Sequence, residues 1–110
     1  MKNQHFQYTA KDGLKIHTYK WLPAEAQTAQ AIFLIVHGSV EHAKRYEPFA
    51  AFLTKKGYIV YAPDQRAHGI TGKESGKLSH IEANNGWEVL MDDLALLHGI
   101  IKDNHPSLPI

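Results

Sequence analysis

Residues 31–42, AIFLIVHGSVEH, decide the fold of this 110-residue chain. They open with six consecutive apolar residues and continue into a polar segment that begins at His37. A continuous apolar run, unlike an alternating one, is typical of a strand covered on both faces, as in parallel sheets. We therefore expect residues 31–36 to form a buried strand that ends at His37-Gly38.

The next segment predicts a helix and a second buried strand. Residues 45–56 favour a helix that ends at Gly57, because glycine commonly follows a helix C-terminus. Residues 58–62, YIVYA, favour the strand. The apolar positions of the helix are spaced i, i+3, i+4 and i+7: Tyr46, Phe49, Ala50 and Leu53.

The N-terminal segment, residues 6–21, predicts a β-hairpin. Two runs with alternating apolar residues flank Asp12-Gly13, a pair that readily adopts the positive φ angles of a tight hairpin turn. Two pairs of side chains are expected on opposite faces of the second run: Leu14 with Ile16, and Tyr19 with Trp21.

The C-terminal part predicts a long loop at residues 63–84 and a helix at residues 86–103. Asn85 is the expected N-cap and Glu88 its capping-box partner. Residues 108–110 would begin a third parallel strand. The order of elements indicates an α/β fold whose sheet is parallel from residue 32 onward. The apolar stripe of the second helix comprises Trp87, Leu90, Leu94, Leu97 and Ile101.

The composition favours one small soluble domain. The net charge of +1 provides no field to hold nucleic acid, and the longest apolar run is too short to span a bilayer. No cysteine is present, which suits a cytoplasmic protein. Eight histidines invite a metal site, but no His-Glu-x-x-His occurs, so we expect no metal and no cofactor.

Two polar motifs follow the two buried strands, where open α/β sheets bind their ligands. The first is HGSVEH at residues 37–42, in which a backbone N–H could face a developing oxyanion; alternatively, Gly38 only turns the chain and His37 is half-buried. The second is DQRAHGITG at residues 64–72, which could be a turn in which Asp64 caps N–H groups and pairs with Arg66.

The two motifs together resemble the α/β-hydrolase superfamily, in particular the monoacylglycerol lipase, lysophospholipase and serine aminopeptidase group. That group has His-Gly-x-Gly-Glu-His-x-x-Arg-Tyr after one strand and Asp-x-x-Gly-His-Gly-x-Ser after the next. The segments at 84–94 and 105–110 also resemble bacterial lysophospholipase-like members. The matching residues are His37, Gly38, Glu41, His42, Arg45, Tyr46, Asp64, His68 and Gly69.

The resemblance implies that the backbone N–H of Ser39 contributes to an oxyanion hole. Glu41 and Arg45, four residues apart, are expected to form an ion pair. Val40 replaces a family glycine, so it would either narrow the acyl pocket or change the loop conformation. Ala67 replaces the first glycine of Gly-His-Gly, which costs about 1 kcal/mol if that position needs positive φ.

The resemblance also implies that the catalytic triad lies beyond Ile110. Its order in this fold is serine, acid, histidine, so His42, Asp64 and His68 precede the serine position and belong to the loops. We expect residues 1–110 to be the N-terminal portion of one α/β-hydrolase domain, truncated before the nucleophile elbow and inactive alone. In the family's strand order, residues 32–36 lie between residues 58–62 and the strand that begins near Pro109.

The function implied for the whole protein is serine hydrolysis of carboxylic esters, of the monoacylglycerol or lysophospholipid type. Two alternatives remain open at this point. One is a non-catalytic α/β module that binds a partner or a small ligand. The other is a peptidase or amide hydrolase of the same fold.

Overall fold

The computed structural model describes residues 1–24, 29–76 and 86–110. Within these residues, four strands form one sheet in the order β1–β2–β4–β3. They are β1 (Lys2–Thr9), β2 (Lys15–Leu22), β3 (Ile32–Leu34) and β4 (Ile59–Pro63). The helices are α1 (Glu47–Lys55), α2 (Gly69–Ser75) and α3 (Gly86–Asn104), with a short 3₁₀ helix at Ala43–Tyr46. The predicted α/β class is confirmed.

The predicted hairpin is confirmed, but its turn differs from the expected one. β1 and β2 pair antiparallel from Lys2↔Leu22 to Thr9↔Lys15. At the turn, Ala10 N donates to Leu14 O (2.9 Å) and Gly13 N donates to Ala10 O (2.9 Å). Gly13 has φ 90°, whereas Asp12 does not have positive φ. The prediction that both residues supply positive φ is wrong, because a three-residue loop needs only one left-handed residue.

Helices cover the sheet on both faces, so the protein has one hydrophobic core on each face. Successive side chains of β4 point alternately into the two cores. Ile59 and Tyr61 pack with residues of α3 on one face, and Val60 and Ala62 pack with residues of α1 on the other. The hairpin follows the same division. As predicted, Leu14 and Ile16 join the first core, and Tyr19 and Trp21 join the second.

The strand predicted at residues 31–36 is shorter and more exposed than expected. β3 pairs parallel with β4, as predicted, but includes only residues 32–34. Phe33 is 39% exposed and Val36 is 46% exposed, so the prediction of burial on both faces is wrong. β3 has a strand partner on one side only, and this leaves its outer face partly uncovered.

Pro109 lies beside the free edge of β3, where the family's strand order puts it. Its carbonyl accepts the Ile32 N–H at 2.8 Å. Residues 108–110 nevertheless form no strand, so the predicted start of a third parallel strand is not observed. The single hydrogen bond between Ile32 and Pro109 is too few to define a pair of strands.

The helix predicted at residues 45–56 is divided into the 3₁₀ helix and α1. Pro48 is the physical reason: it has no N–H to donate to a preceding turn, so it is tolerated only in the first turn of a helix. Ala50 and Leu53 are buried as predicted, but Phe49 is 47% exposed. Gly57, with φ 90°, follows the helix as expected.

The region predicted as a loop at residues 63–84 contains α2. This helix has no apolar stripe to reveal it; it is held by polar contacts, such as Gly72 N to His68 O (2.8 Å) and His17 N to Thr71 Oγ1 (2.8 Å). Residues 77–84 of the predicted loop, and the predicted N-cap Asn85, lie outside the described residues.

α3 agrees with its prediction to within one residue at its end. Leu97 and Ile101 are fully buried, whereas Leu90 and Leu94 are half-buried. Trp87 is 72% exposed, so its assignment to a buried stripe is wrong. It lies in the first turn of α3, whereas Leu97 and Ile101, which pack with the strand residues of the core, lie in the second half of the helix.

Two residues other than glycine have positive φ among the described residues: Val40 (57°) and Ala67 (71°). Both stand where the family resemblance predicts glycine. The left-handed conformation costs a residue with a Cβ about 1–2 kcal/mol. The condition for a strain cost at Ala67, a positive φ, is thus met. At position 40, valine replaces the family's glycine, but the backbone keeps a left-handed conformation.

We predict that Val40→Gly raises the free energy of unfolding by about 0.5–1 kcal/mol. Relief of left-handed strain, about 1–2 kcal/mol, outweighs the added entropy of the unfolded chain, about 0.4–1 kcal/mol. The matched control is Val36→Gly, an exposed valine without positive φ, which should lower stability. Denaturant titration of the protein measures both. Equal losses in the two variants would show that residue 40 is unstrained.

We also predict that Gly69→Ala lowers the free energy of unfolding by about 2–4 kcal/mol. Gly69 has φ 53°, and a Cβ there would overlap the Asp64 carboxylate. Gly76→Ala is the control, because its φ is 72° but no atom lies within 4 Å of the added Cβ. It should cost only about 1 kcal/mol. The difference between the two measures the steric overlap, and no difference would contradict it.

Candidate functional site

The loops that follow β3 and β4 meet at one edge of the sheet. We call residues 35–42 the β3 loop and residues 64–68 the β4 loop. Because β3 and β4 are parallel neighbours, their carboxyl ends point the same way, which is where ligands bind in open α/β sheets. All the site residues predicted from the sequence lie in these loops or directly after them.

His37 joins the two loops through its imidazole ring. The Gln65 backbone N–H donates to His37 Nε2 (3.1 Å), and His37 Nδ1 lies 2.9 Å from Gly38 O. A backbone N–H can only donate and a carbonyl can only accept, so the ring is neutral with its hydrogen on Nδ1. Burial lowers the pKa of His37 below its ordinary value of 6.5, which favours this neutral form.

His68 makes the corresponding contacts from the β4 loop. Its Nε2 accepts the Val40 N–H (3.4 Å), and its Nδ1 lies 3.0 Å from Arg66 O. The rings of His37 and His68 are 5.0 Å apart between centroids. Each loop therefore contributes one histidine that accepts a backbone N–H of the other loop.

Asp64 is a buried acceptor for backbone N–H groups, as the sequence suggested. It is 1% exposed and receives the Ala43 N–H (2.8 Å) and the Ile70 N–H (3.0 Å). Gly69 allows the chain to pass directly over this carboxylate. Asp64 thus ties the start of the 3₁₀ helix and the start of α2 to the end of β4.

Arg66 does not pair with Asp64, so that part of the prediction is wrong. Its guanidinium binds Asp12 (2.8 and 3.2 Å) and Asp93 (2.9 and 3.0 Å). These carboxylates raise the pKa of Arg66 above its ordinary value, with the hydrogen bond to Asp93 as the largest cause. The β4 loop is thereby connected to the hairpin turn and to α3.

Glu41 holds the amino side of the β3 loop. Its carboxylate accepts the Gly38 N–H (2.6 Å), the Tyr46 hydroxyl (2.6 Å) and the Arg45 guanidinium (3.1 Å). The predicted contact with Arg45 is confirmed, although Glu41 lies before the 3₁₀ helix and not in it. The Tyr46 hydroxyl, followed by the Gly38 N–H, lowers the pKa of Glu41.

Ser39 and Val40 form the exposed tip of the β3 loop. Ser39 is exposed and Val40 is 85% exposed. Among residues 1–24, 29–76 and 86–110, no group accepts a hydrogen bond from the Ser39 N–H. His42 is also exposed, and its extended backbone (φ −150°, ψ 162°) leads into the 3₁₀ helix.

Two open cavities flank this tip. One, of about 290 Å³, is bordered by Ser39 and His37 and has an apolar wall of Trp87, Leu90 and Met91 from α3. The other, of about 440 Å³, is bordered by Val40 and by charged side chains that include Lys44 and Lys73. The Ser39 N–H is therefore available beside a partly apolar cleft.

The described part of the chain contains no group of three or more His, Cys, Asp or Glu residues arranged to hold a metal ion. None of its helices has both the length and the apolar character that a bilayer span requires.

Sequence reasoning missed two features of the site. The first is Gln65, whose side chain donates to His37 O (2.6 Å); nothing in the motif distinguishes it from a loop glutamine. The second is Asp93, which is only 5% exposed and binds Arg66. A signal existed for Asp93, since a carboxylate between Leu90 and Leu97 on a predicted buried stripe requires a cationic partner.

Comparison with known sequences gives one family. Residues 27–110 match the family described as "Serine aminopeptidase, S33". A monoacylglycerol lipase of Mycolicibacterium smegmatis is 33% identical over 97 residues, covering 88% of this chain and 32% of that protein. A monoglyceride lipase of Homo sapiens is 27% identical over 99 residues, covering 90% of this chain and 30% of that protein.

Solved structures give the same fold. A highly thermostable carboxyl esterase from Bacillus coagulans, in complex with glycerol, superimposes with a TM-score of 0.86 at 25% identity, covering 99% of this chain and 34% of that chain. A lipase in an open form superimposes with a TM-score of 0.85 at 28% identity, covering 97% of this chain and 34% of that chain. The chain spans about a third of the length of these relatives. The family match includes both loops of the site, and the chain belongs to the serine aminopeptidase (S33) family of the α/β-hydrolase superfamily.

Proposed function

We propose that this chain supplies the oxyanion loop of a serine ester hydrolase, with the Ser39 N–H as one donor to the oxyanion. The observation that carries the proposal is that Ser39 is exposed at the tip of the β3 loop, while its two chain neighbours, Gly38 and Val40, are held by hydrogen bonds. Preorganised donors stabilise a tetrahedral intermediate because they need no reorganisation when charge develops.

The proposal extends to a protein longer than the described chain. The relatives are about three times as long. The family resemblance implies a nucleophile after the strand that would begin near Pro109, with the acid and the histidine later in the chain. We propose that residues 1–110 are the N-terminal portion of a single hydrolase domain. The catalytic serine, acid and histidine would follow, and residues 1–110 alone would be inactive.

The substrate we propose is a carboxylic ester with an acyl chain, of the monoacylglycerol or lysophospholipid type. Support comes from the lipases among the relatives and from the apolar wall of the cavity beside Ser39. Val40 borders the second cavity and is proposed to contact substrate. A peptidase or amide hydrolase is the second candidate, favoured by the name of the matching family.

We predict that Ser39→Pro lowers kcat of the full-length protein on a p-nitrophenyl ester by ~10²–10³-fold, whereas Ser39→Ala leaves it nearly unchanged. Proline removes the N–H and alanine keeps it. Ser39 precedes Val40 in a turn, and the φ of 57° at Val40 resembles the third residue of a type II turn, whose second position accepts proline. An equal effect of the two substitutions on kcat would refute a backbone role.

We further predict that the full-length protein reacts with a fluorophosphonate probe and hydrolyses monoacylglycerols or lysophospholipids faster than aminoacyl anilides. Release of fatty acid and of aniline, measured at matched enzyme concentration, compares the two activities. Faster amide cleavage would favour the peptidase. Absence of both labelling and turnover would favour a non-catalytic binding module.

A further inference from the structure

We infer that His37 is a positioning residue that orients the Ser39 N–H by holding the other end of the same peptide group. The inference rests on the proposed function, because it assigns the cause of the orientation on which that function depends. It concerns a side chain that does not itself reach the reacting atoms.

The argument begins with the covalent geometry of the peptide bond. The Gly38 carbonyl and the Ser39 N–H belong to one peptide unit, which is planar and, as in all described residues here, not cis. In such a unit the C=O and N–H bonds point in opposite directions. A contact that fixes the Gly38 carbonyl therefore also fixes the direction in which the Ser39 N–H points.

His37 provides that contact. Its Nδ1–H donates to Gly38 O at 2.9 Å. His37 is only 4% exposed, so the donor side of this hydrogen bond is shielded from water, although Gly38 is exposed. A hydrogen bond to the carbonyl of an amide also polarises its N–H, which strengthens that N–H as a donor. Both effects act on the group proposed to stabilise the oxyanion.

The tautomer that allows this donation is fixed from the β4 loop. The Gln65 backbone N–H points at Nε2 (3.1 Å), so Nε2 must be the acceptor and Nδ1 must carry the hydrogen. The Gln65 side-chain amide lies 3.4 Å from Nδ1 but only 2.6 Å from His37 O, so it donates to the carbonyl. The opposite tautomer would leave two donors facing each other.

The opposite side of Gly38 is held independently. Glu41 accepts the Gly38 N–H at 2.6 Å, and a Cβ on Gly38 would lie only 3.3 Å from Glu41 Oε1. Gly38 is thus fixed at its N–H by Glu41 and at its carbonyl by His37. Of these two contacts, only the one from His37 acts on the peptide that carries the Ser39 N–H.

Two substitutions separate the functions of the ring's two nitrogens. The amide nitrogen of His37→Asn reaches roughly the position of Nδ1 and can still donate to Gly38 O, but the acceptor for Gln65 N–H is lost. The amide oxygen of His37→Gln reaches roughly the position of Nε2 and can still accept the Gln65 N–H, but the donation to Gly38 O is lost. Exposed His98 on α3 supplies matched controls, His98→Asn and His98→Gln.

In the full-length protein we expect His37→Gln to lower kcat by about tenfold or more with little change in KM. This loss is smaller than the ~10²–10³-fold loss in kcat that follows removal of an entire oxyanion donor. His37→Asn should retain more kcat but melt at a lower temperature than His37→Gln. The order of the two variants thus differs between kcat and melting temperature. If the order is the same in both measurements, His37 is only structural and the inference is wrong.

Inhibitor binding provides a second readout. A trifluoromethyl ketone reacts with the catalytic serine of a hydrolase to give a tetrahedral adduct that carries an oxyanion. An ether analogue of the substrate forms no such adduct. Affinity of His37→Gln for the ketone should fall in step with kcat, and affinity for the ether should stay the same. Equal losses for both compounds would overturn the inference.

Nitrogen NMR of the unaltered protein tests the inference without any variant. We expect the His37 ring to be neutral at pH 7 with its hydrogen on Nδ1; the Nε2–H tautomer or a charged ring would overturn it. Ser39→Pro separates this failure from failure of the proposed function. If Ser39→Pro is inactive while His37→Gln is unimpaired, only the role of His37 is excluded; if Ser39→Pro is active, the oxyanion role of Ser39 is excluded as well.

Discussion

The buried carboxylate of Asp64 is the contact on which the rest of the site depends. It lies at the carboxyl end of β4 and accepts backbone N–H groups from Ala43 and Ile70. One of these begins the 3₁₀ helix and the other lies in α2, so one side chain sets the position of two elements relative to the sheet. Buried carboxylates are stable in proteins when hydrogen bonds replace their hydration, and Asp64 receives two.

A second constraint acts on the β4 loop, from the hairpin turn and from α3. Arg66 binds Asp12 in the hairpin turn and Asp93 on α3, and the contact with Asp93 is mostly shielded from water. Removal of one partner from such a group leaves an uncompensated buried charge, which costs more than the pair contributes. The β4 loop is therefore held on one side by Asp64 and on the other by Arg66, and both histidine contacts with the β3 loop depend on that rigidity.

The strained backbone of the two loops is consistent with this rigidity. Val40 and Ala67 have positive φ; Val40 itself donates its N–H to His68 across the two loops, and Ala67 is the chain neighbour of that histidine. Left-handed residues with a Cβ persist where surrounding contacts determine the conformation, and such residues often cluster at functional sites. Strain in both loops and hydrogen bonds between them thus describe one preorganised unit around Ser39.

Much of the architecture could be predicted from local sequence patterns. The apolar runs at residues 31–36 and 58–62 indicated the parallel pair, and the spacing of Leu97 and Ile101 indicated α3. The motifs placed the candidate site at the strand ends. α2 was missed because it has no apolar periodicity; hydrogen bonds to residues outside the helix, one of them 54 residues away, hold it in place.

What the sequence by itself determined is the α/β order of elements, the two loops at the carboxyl ends of β3 and β4, and the identity of the residues that occupy them. Only the tertiary structure decided which of those residues touch. Arg66 binds Asp93, 27 residues away, and not its neighbour Asp64. His37 takes one tautomer because Gln65, 28 residues away, presents an N–H to it. Local patterns record the burial and periodicity of each element, whereas these contacts arise only when separate elements pack on a common sheet.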